Sequence, residues 1–414
     1  MKRKLGVISL GCPRNLVDAE SIVGRIDGGI YSVVDDIRQA EIALVNTCAF
    51  IEDAKRESID AILDLIELKK EGRLKKIIVC GCLAQRYKDL YKELPEVDAF
   101  VGAPLLDRGT SRFALTPGHY AYLKICEGCL NNCSYCIIPA IKGRLTSLDE
   151  ESVIRKVKYF NRKKISELNI IGQDITAFGM DVSGKSLLPG LLKKILDNSG
   201  SIGWIRLLYL NPERVNNELL GLIGSEDRIC KYIDLPIQHI NDRILKLMNR
   251  KVTKKMLVKL IGKIRKLIPG VSLRTSLIAG FPSETDKEFR ELLDFVREMR
   301  FERLGVFIYS REEGTRAYSF KGQVNPKLKQ ERFDAIMKEQ QSVSAFLNSG
   351  MMHKKIRVLI EEKQADIYIG RSQADAPEVD GLVYVRSARP LKPGDFAEVE
   401  ITDTFEYDLA GETI

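Results

Sequence analysis

The chain has 414 residues, 44% hydrophobic and 29% charged, enough for two to four domains with ordinary buried cores. Sixty-five Lys and Arg against 57 Asp and Glu leave a formal net charge of +8, a weak hint of a nucleic-acid or ribosomal partner, and no stretch reaches the roughly 18 apolar residues of a membrane span. The start, MKRKLGVISLGCPRN, lacks the apolar core and cleavage site of a secretory leader, so the nine cysteines are expected in the cytoplasm, where clustered thiols bind metal or do redox chemistry more often than they form disulfides.

Residues 1–118 alternate short apolar runs with helical patterns. LGVISLG, IALVNTC and KKIIVCGCL read as buried strands, and DAKRESIDAILDLIELKKEG carries apolar residues at helical spacing. The alternation predicts a small βαβ domain with a parallel sheet. Cys12, Cys48 and Cys82 each fall just beyond one of these strands, at the edge where open α/β sheets bind ligands. Cys80 is expected on the opposite face from Cys82, as a packing residue.

Residues 119–348 hold six strand-like runs, YAYLKIC, ELNIIGQ, WIRLLYL, YIDLPIQ, SLRTSLIAG and RLGVFIY, separated by helical segments. Six βα units predict a partial (β/α)6 barrel, open where a full barrel of eight would close. Residues 349–414 alternate with period two between Gly, Pro and Asp turns, which predicts a small β-barrel.

The loop after the first barrel strand carries CLNNCSYC, with Cys129, Cys133 and Cys136 spaced Cys-x3-Cys-x2-Cys. An iron-sulfur cubane has four irons, so three protein thiolates leave one iron open. Zinc is a rival, with Cys126 as a candidate fourth ligand, and loop thiols without metal are a second alternative. Cys126 and Cys230 otherwise read as small packing residues, and His239 and His353 as structural.

The Cys-x3-Cys-x2-Cys run, with Tyr135 before its last cysteine, resembles the signature of the radical S-adenosylmethionine (SAM) enzymes. Together SLGCPRNLVDAE, NTCAFIEDAKRESID, GCLAQRY, GQDITAFG, LPIQHINDRILKLMNR and GRSQADAPEVDG resemble the methylthiotransferases, and more the branch that modifies a ribosomal protein than the branch that modifies transfer RNA adenosine. The resemblance implies two [4Fe-4S] clusters, one on Cys129, Cys133 and Cys136 that chelates SAM and one on Cys12, Cys48 and Cys82 that carries the sulfur unit. It implies SAM contacts from Tyr135, from Gly172, Gln173 and Asp174, from Gln238 and Arg274, and from the strand segment ending at Gly280. It makes the last β-barrel TRAM-like, and Ala49 departs from the glycine expected after Cys48.

The implied substrate is an aspartate, at its β-carbon, in the small-subunit ribosomal protein of the decoding site, free or in the ribosome. The implied helper is an electron donor such as flavodoxin or ferredoxin, with no membrane and only secondary RNA contact. Residues 351–414 carry eight Lys and Arg against thirteen Asp and Glu, a local charge of −5. An acidic barrel repels phosphates and attracts a basic protein. Asp375, Glu378 and Asp380 are expected on its exposed rim.

Overall fold

The computed structural model describes residues 2–414. Its first unit is a parallel sheet of strands β1 (Arg3–Ser9), β2 (Tyr31–Val34), β3 (Ile42–Thr47), β4 (Lys76–Gly81) and β5 (Ala99–Val101), in the order β2-β1-β3-β4-β5. Central β3, IALVNT, is buried along its whole length because helices cover both faces. Alternate residues divide between them: Ala43, Val45, Ile77 and Val79 pack with Ile62 and Leu65 of helix Glu52–Lys70, while Ile42, Leu44 and Cys80 pack with Val23 of helix Pro13–Val23. Strands β2 and β5 and helix Pro13–Val23 go beyond the sequence expectation.

All six expected strands of the second unit form: β6 (Tyr120–Lys124), β9 (Glu167–Ile171), β10 (Trp204–Leu207), β11 (Tyr232–Asp234), β12 (Ser272–Ala279) and β13 (Arg303–Ile308). The short β7 (Cys126–Glu127) and β8 (Thr146–Ser147) pair across the base of the cysteine loop. The barrel wall is two parallel three-stranded sheets, β10-β9-β6 and β11-β12-β13. They meet at a single Ile205–Ile229 bridge, and the Leu210 N–H donates to the Asp234 carbonyl at the end of β11. Ala121, Leu123, Leu168, Ile170, Ile205 and Leu207 face outward into one core shared with the surrounding helices. The alternate residues Lys124, Glu167, Arg206 and Asp234 face inward, buried.

Helix Pro326–Ser349 leads to a closed barrel of β14 (Lys355–Gln364), β15 (Ile367–Ser372), β16 (Val383–Arg386), β17 (Phe396–Thr404) and β18 (Leu409–Thr413), in the order β14-β15-β16-β18-β17. The segment after β15 seals the amino-terminal end of the larger barrel. Asp375 binds Arg303 (Nε to Oδ1 2.8 Å), Asp380 accepts from Tyr232 Oη (2.6 Å), and Glu378 accepts from Tyr120 Oη (2.8 Å). Glu167, fully buried, takes Arg206 on one oxygen and Arg371 on the other (2.7 and 2.6 Å). Asp375 and Asp380 are therefore interdomain anchors and not an exposed rim, whereas Glu378 bonds Tyr120 and still stays exposed. Among the described residues no helix is long and apolar enough to cross a membrane.

Candidate metal centres

The first cysteine set is built from the carboxyl ends of β1, β3 and β4. Cys12 caps helix Pro13–Val23 in an extended conformation, and Cys48 follows β3 directly. Its backbone N–H and C=O are both held by the buried hydroxyl of Ser58 (3.0 and 2.9 Å). Two residues apart on one strand, Cys80 and Cys82 would share a face. They diverge because β4 ends at Gly81, φ 95°, and Cys82 opens a short helix. A Cβ at Gly81 would lie 2.2 Å from Asn46 Oδ1 and 2.7 Å from the Thr47 carbonyl, so the turn requires glycine.

Asn15 ties the three loops together. Its Nδ2 donates to the carbonyls of Leu10 (3.0 Å) and Thr47 (2.8 Å), and its Oδ1 faces the Cys82 thiol at 3.6 Å. A Cβ on Gly11 would fall 2.8 Å from Cys48 Sγ, which places the Cys12 loop against Cys48. Burial pushes the Cys48 thiol up and takes Cys82 to about 12. Cys12 is also raised by burial, but the Arg14 guanidinium, its Nε 3.4 Å from the sulfur, carries it below the usual thiol value.

The second set sits on the loop between β7 and β8. Asn131 donates to Cys129 Sγ from its backbone N–H (3.4 Å) and side chain (3.3 Å), and reaches Asp174 Oδ2 at 2.9 Å. Arg214 closes that triangle on Asp174 (2.8 Å) and Asn131 (2.9 Å). Ser134 bonds the carbonyls of Met248 and Leu247, Asn249 bonds Asn132, and Arg250 Nη1 lies 4.0 Å from Cys133 Sγ. Burial raises Cys129, and takes Cys136 to about 12. Tyr135 packs into an apolar group with Ile244, Met248, Ile278, Phe281 and Tyr309.

The two sets are brought together. Arg14 stands between them, 3.2 Å from the Gly172 carbonyl and with its guanidinium 4.4 Å from the Tyr209 ring centroid. Ile137 and Ile141, just after the second set, pack with Cys82, Leu83 and Ala84. Below lies a buried ionic group in which Lys124 and Lys142 both contact Asp18 and Glu127.

Three thiols per set, with glycine turns and nearby cations, suit a cluster that takes each thiolate on a different iron. A single zinc ion would need a fourth ligand converging with the three thiolates at about 2.0–2.3 Å. Cys126, the fourth ligand of that reading, is fully buried in the barrel core, where its sulfur occupies the space a Cβ on Gly172 would need. Cys80 and Cys230 are likewise buried, with burial raising them to about 12 and about 11.

Of the residues the resemblance assigned to SAM, Gly172, Gln173 and Asp174 lie next to the second set, Gln173 bonding Glu127. Gln238, φ 72°, bridges to Leu277 on β12 and leaves its side chain half-exposed. Gly280, φ 73°, has its N–H held by Glu284. Arg274 is the exception: it is spoken for by Asp380 (3.3 Å) and Asp234 (3.7 Å) at the sealed end of the barrel, so its charge is already neutralised there. Arg14, Asn15, Ser58, Asn131, Arg214 and Arg250 went unassigned, although CPRN and CLNNC contain three of them.

Residues 4–102 match the uncharacterized protein family UPF0004, residues 123–296 the radical SAM superfamily, and residues 354–414 the TRAM domain. The chain is 45% identical over 437 residues to the ribosomal protein uS12 methylthiotransferase RimO of Thermoanaerobacter sp. (strain X514), covering 99% of this chain and 100% of that one. It is 43% identical over 445 residues to the protein of the same name from Geotalea uraniireducens (strain Rf4), covering 100% and 99%. A solved structure of the radical S-adenosylmethionine methyltransferase TsrM from Kitasatospora setae, with cobalamin and a [4Fe-4S] cluster bound, is similar with a TM-score of 0.53 at 14% identity, over 74% of this chain and 75% of that one, which is a likeness of fold.

Proposed function

The chain belongs to the RimO family of radical SAM methylthiotransferases, and we propose that it inserts a methylthio group at the β-carbon of one aspartate of ribosomal protein uS12. The observation that supports it is the pair of three-thiol sets, with Arg14 reaching from the Cys12 sulfur to the Gly172 carbonyl beside the second set. In this reading Cys12, Cys48 and Cys82 hold one [4Fe-4S] cluster and Cys129, Cys133 and Cys136 a second. When bound, such groups supply one-electron chemistry and, with three protein ligands each, an open coordination position. SAM is consumed twice, as methyl source and as radical source.

The chain's own residues position and shield. Asn131, locked by Asp174 and Arg214, fixes the Cys129 sulfur. Tyr135 and its apolar neighbours keep water from one side of the loop, and Gly172, Gln173, Asp174, Gln238 and Gly280 edge the space for SAM. Four of these five carry no side-chain charge, and Asp174 is neutralised by Arg214. Because the Cys48, Cys82, Cys129 and Cys136 thiols are raised by burial, metal loading releases protons and strengthens as pH rises. The acidic last barrel suits a basic ribosomal protein through residues still exposed, Glu398, Asp403 and Glu406 among them.

Anaerobic reconstitution should yield about eight irons per chain, and C12A/C48A/C82A about four. That triple variant should still cleave SAM to 5′-deoxyadenosine but leave uS12 unmodified by mass spectrometry. A methylthiolated nucleoside in transfer RNA, with no modified uS12 aspartate, would overturn the substrate assignment.

A further inference from the structure

The radical-generating half of the proposed reaction consumes an electron, and no residue of the chain can store one at the required energy. That electron must arrive from outside, near Cys129, Cys133 and Cys136. Three sides of their loop are covered. Ser134 is bonded to the carbonyls of Met248 and Leu247, Tyr135 lies in its apolar group, and Ile137 and Ile141 pack on the first unit. The side that meets solvent is the tip, where Leu130 is 42% exposed and Asn132 is exposed. A cavity of about 190 Å³ opens there, lined by Leu130, Asn131, Cys133, Glu213, Arg250 and Lys251 among others.

The surface running from this tip is strongly basic. Between Lys246 and Leu267 the sequence has nine Lys and Arg and not one Asp or Glu. Lys254 pairs with Glu291 and Arg265 with Glu302; Lys246, Lys251, Lys255 and Lys259 are exposed and enter no ion pair among the described residues. The stretch is fastened to the cysteine loop, since Asn249 donates to the Asn132 carbonyl (2.6 Å) and Arg250 approaches Cys133. A small exposed tip at the redox centre, with one carboxylate, Glu213, on the cavity wall and a stretch of unpaired lysines beside it, is the arrangement of a small, transient electron-transfer contact, steered by charge and quick to release.

We propose that this face, from Leu130 to Lys255, is the docking surface for an acidic one-electron carrier protein of the flavodoxin or ferredoxin class. The reduced carrier loses one electron and the site behind Cys133 gains it. The inference rests on the functional reading above, and the charges favour it over the alternatives. A basic ribosomal protein is repelled here and drawn to the acidic last barrel, so the two partners are sorted by sign.

The test uses the reconstituted enzyme and a K246E/K255E variant, both at exposed positions outside the cavity beside the cysteine loop. A purified bacterial flavodoxin is the probe, with binding measured at low and physiological salt. The variant should bind at least tenfold more weakly, and its absorbance bleaching by reduced flavodoxin should slow by a similar factor. SAM cleavage driven by dithionite, which needs no docking surface, should stay within twofold of wild type. Equal flavodoxin binding by variant and wild type would overturn the proposal, as would lysine-dependent binding of a small-subunit ribosomal RNA fragment in its place. Failure of wild-type enzyme to modify uS12 with dithionite would instead count against the functional reading, and the flavodoxin measurements would still decide the docking surface.

Discussion

Arg14 shows how much one side chain can decide. It touches the Cys12 sulfur, the Gly172 carbonyl and the Tyr209 ring, and so ties the first cysteine set to the loop beside the second. Burial alone would raise Cys12, as it raises Cys48 and Cys82; the guanidinium reverses the sign. In metal-free R14Q the opposing charge is gone and burial remains, so Cys12 should ionise at higher pH than in wild type. Alkylation rates of the Cys12 peptide followed by mass spectrometry across pH should show the midpoint moving up, and an unmoved midpoint would remove Arg14 from this role. The six cysteines were legible in the sequence because thiols are rare and fall at strand ends. Arg14 was not, because a guanidinium beside one thiolate in sequence says nothing of what its other nitrogens meet 158 residues away.

At the level of elements, all six barrel strands were legible because each is an apolar run bounded by polar turns. Helix Pro13–Val23 was not, since it buries Asn15, Asp18 and Glu20 in a polar interface and so lacks an apolar stripe. Asp18 of that helix joins Glu127 of β7, Lys124 of β6 and Lys142 in the buried ionic group. Burial pushes the Glu127 carboxyl up, but the two ammonium groups and Gln173 draw it down to about 2, from 4.5. A carboxyl depressed on folding stabilises above its unfolded value and loses that contribution as pH falls through the folded one. E127Q should therefore cost about 3 kcal/mol at pH 7, the scale of a broken buried ion pair. In urea unfolding of the metal-free protein the difference should narrow below about pH 4.5 and vanish near pH 2. A constant difference across that range would mean that packing, not charge, sets the cost.

Over the whole molecule, net charge proved a poor guide until it was divided by location. The last barrel was legible as a small acidic β-barrel, but which of its acids face solvent was not. Asp375 and Asp380 look solvated in sequence and are consumed by Arg303, Tyr232 and Arg274, partners supplied by the central barrel, while Glu378 bonds Tyr120 and stays exposed. The charges left to meet a basic protein are others, including Glu398, Asp403 and Glu406, which are exposed and enter no ion pair among the described residues. Reversing these three to lysine should slow association with uS12 roughly tenfold at low ionic strength, because exposed charges act mainly on encounter. The effect should shrink near physiological salt, where screening sets in beyond about 8 Å. Iron content and dithionite-driven SAM cleavage should not change, since these residues lie in the last barrel, outside both cysteine sets. Stopped-flow association of wild type and variant with purified uS12 at two salt concentrations measures this directly, and equal rates at low salt would move substrate docking off the last barrel.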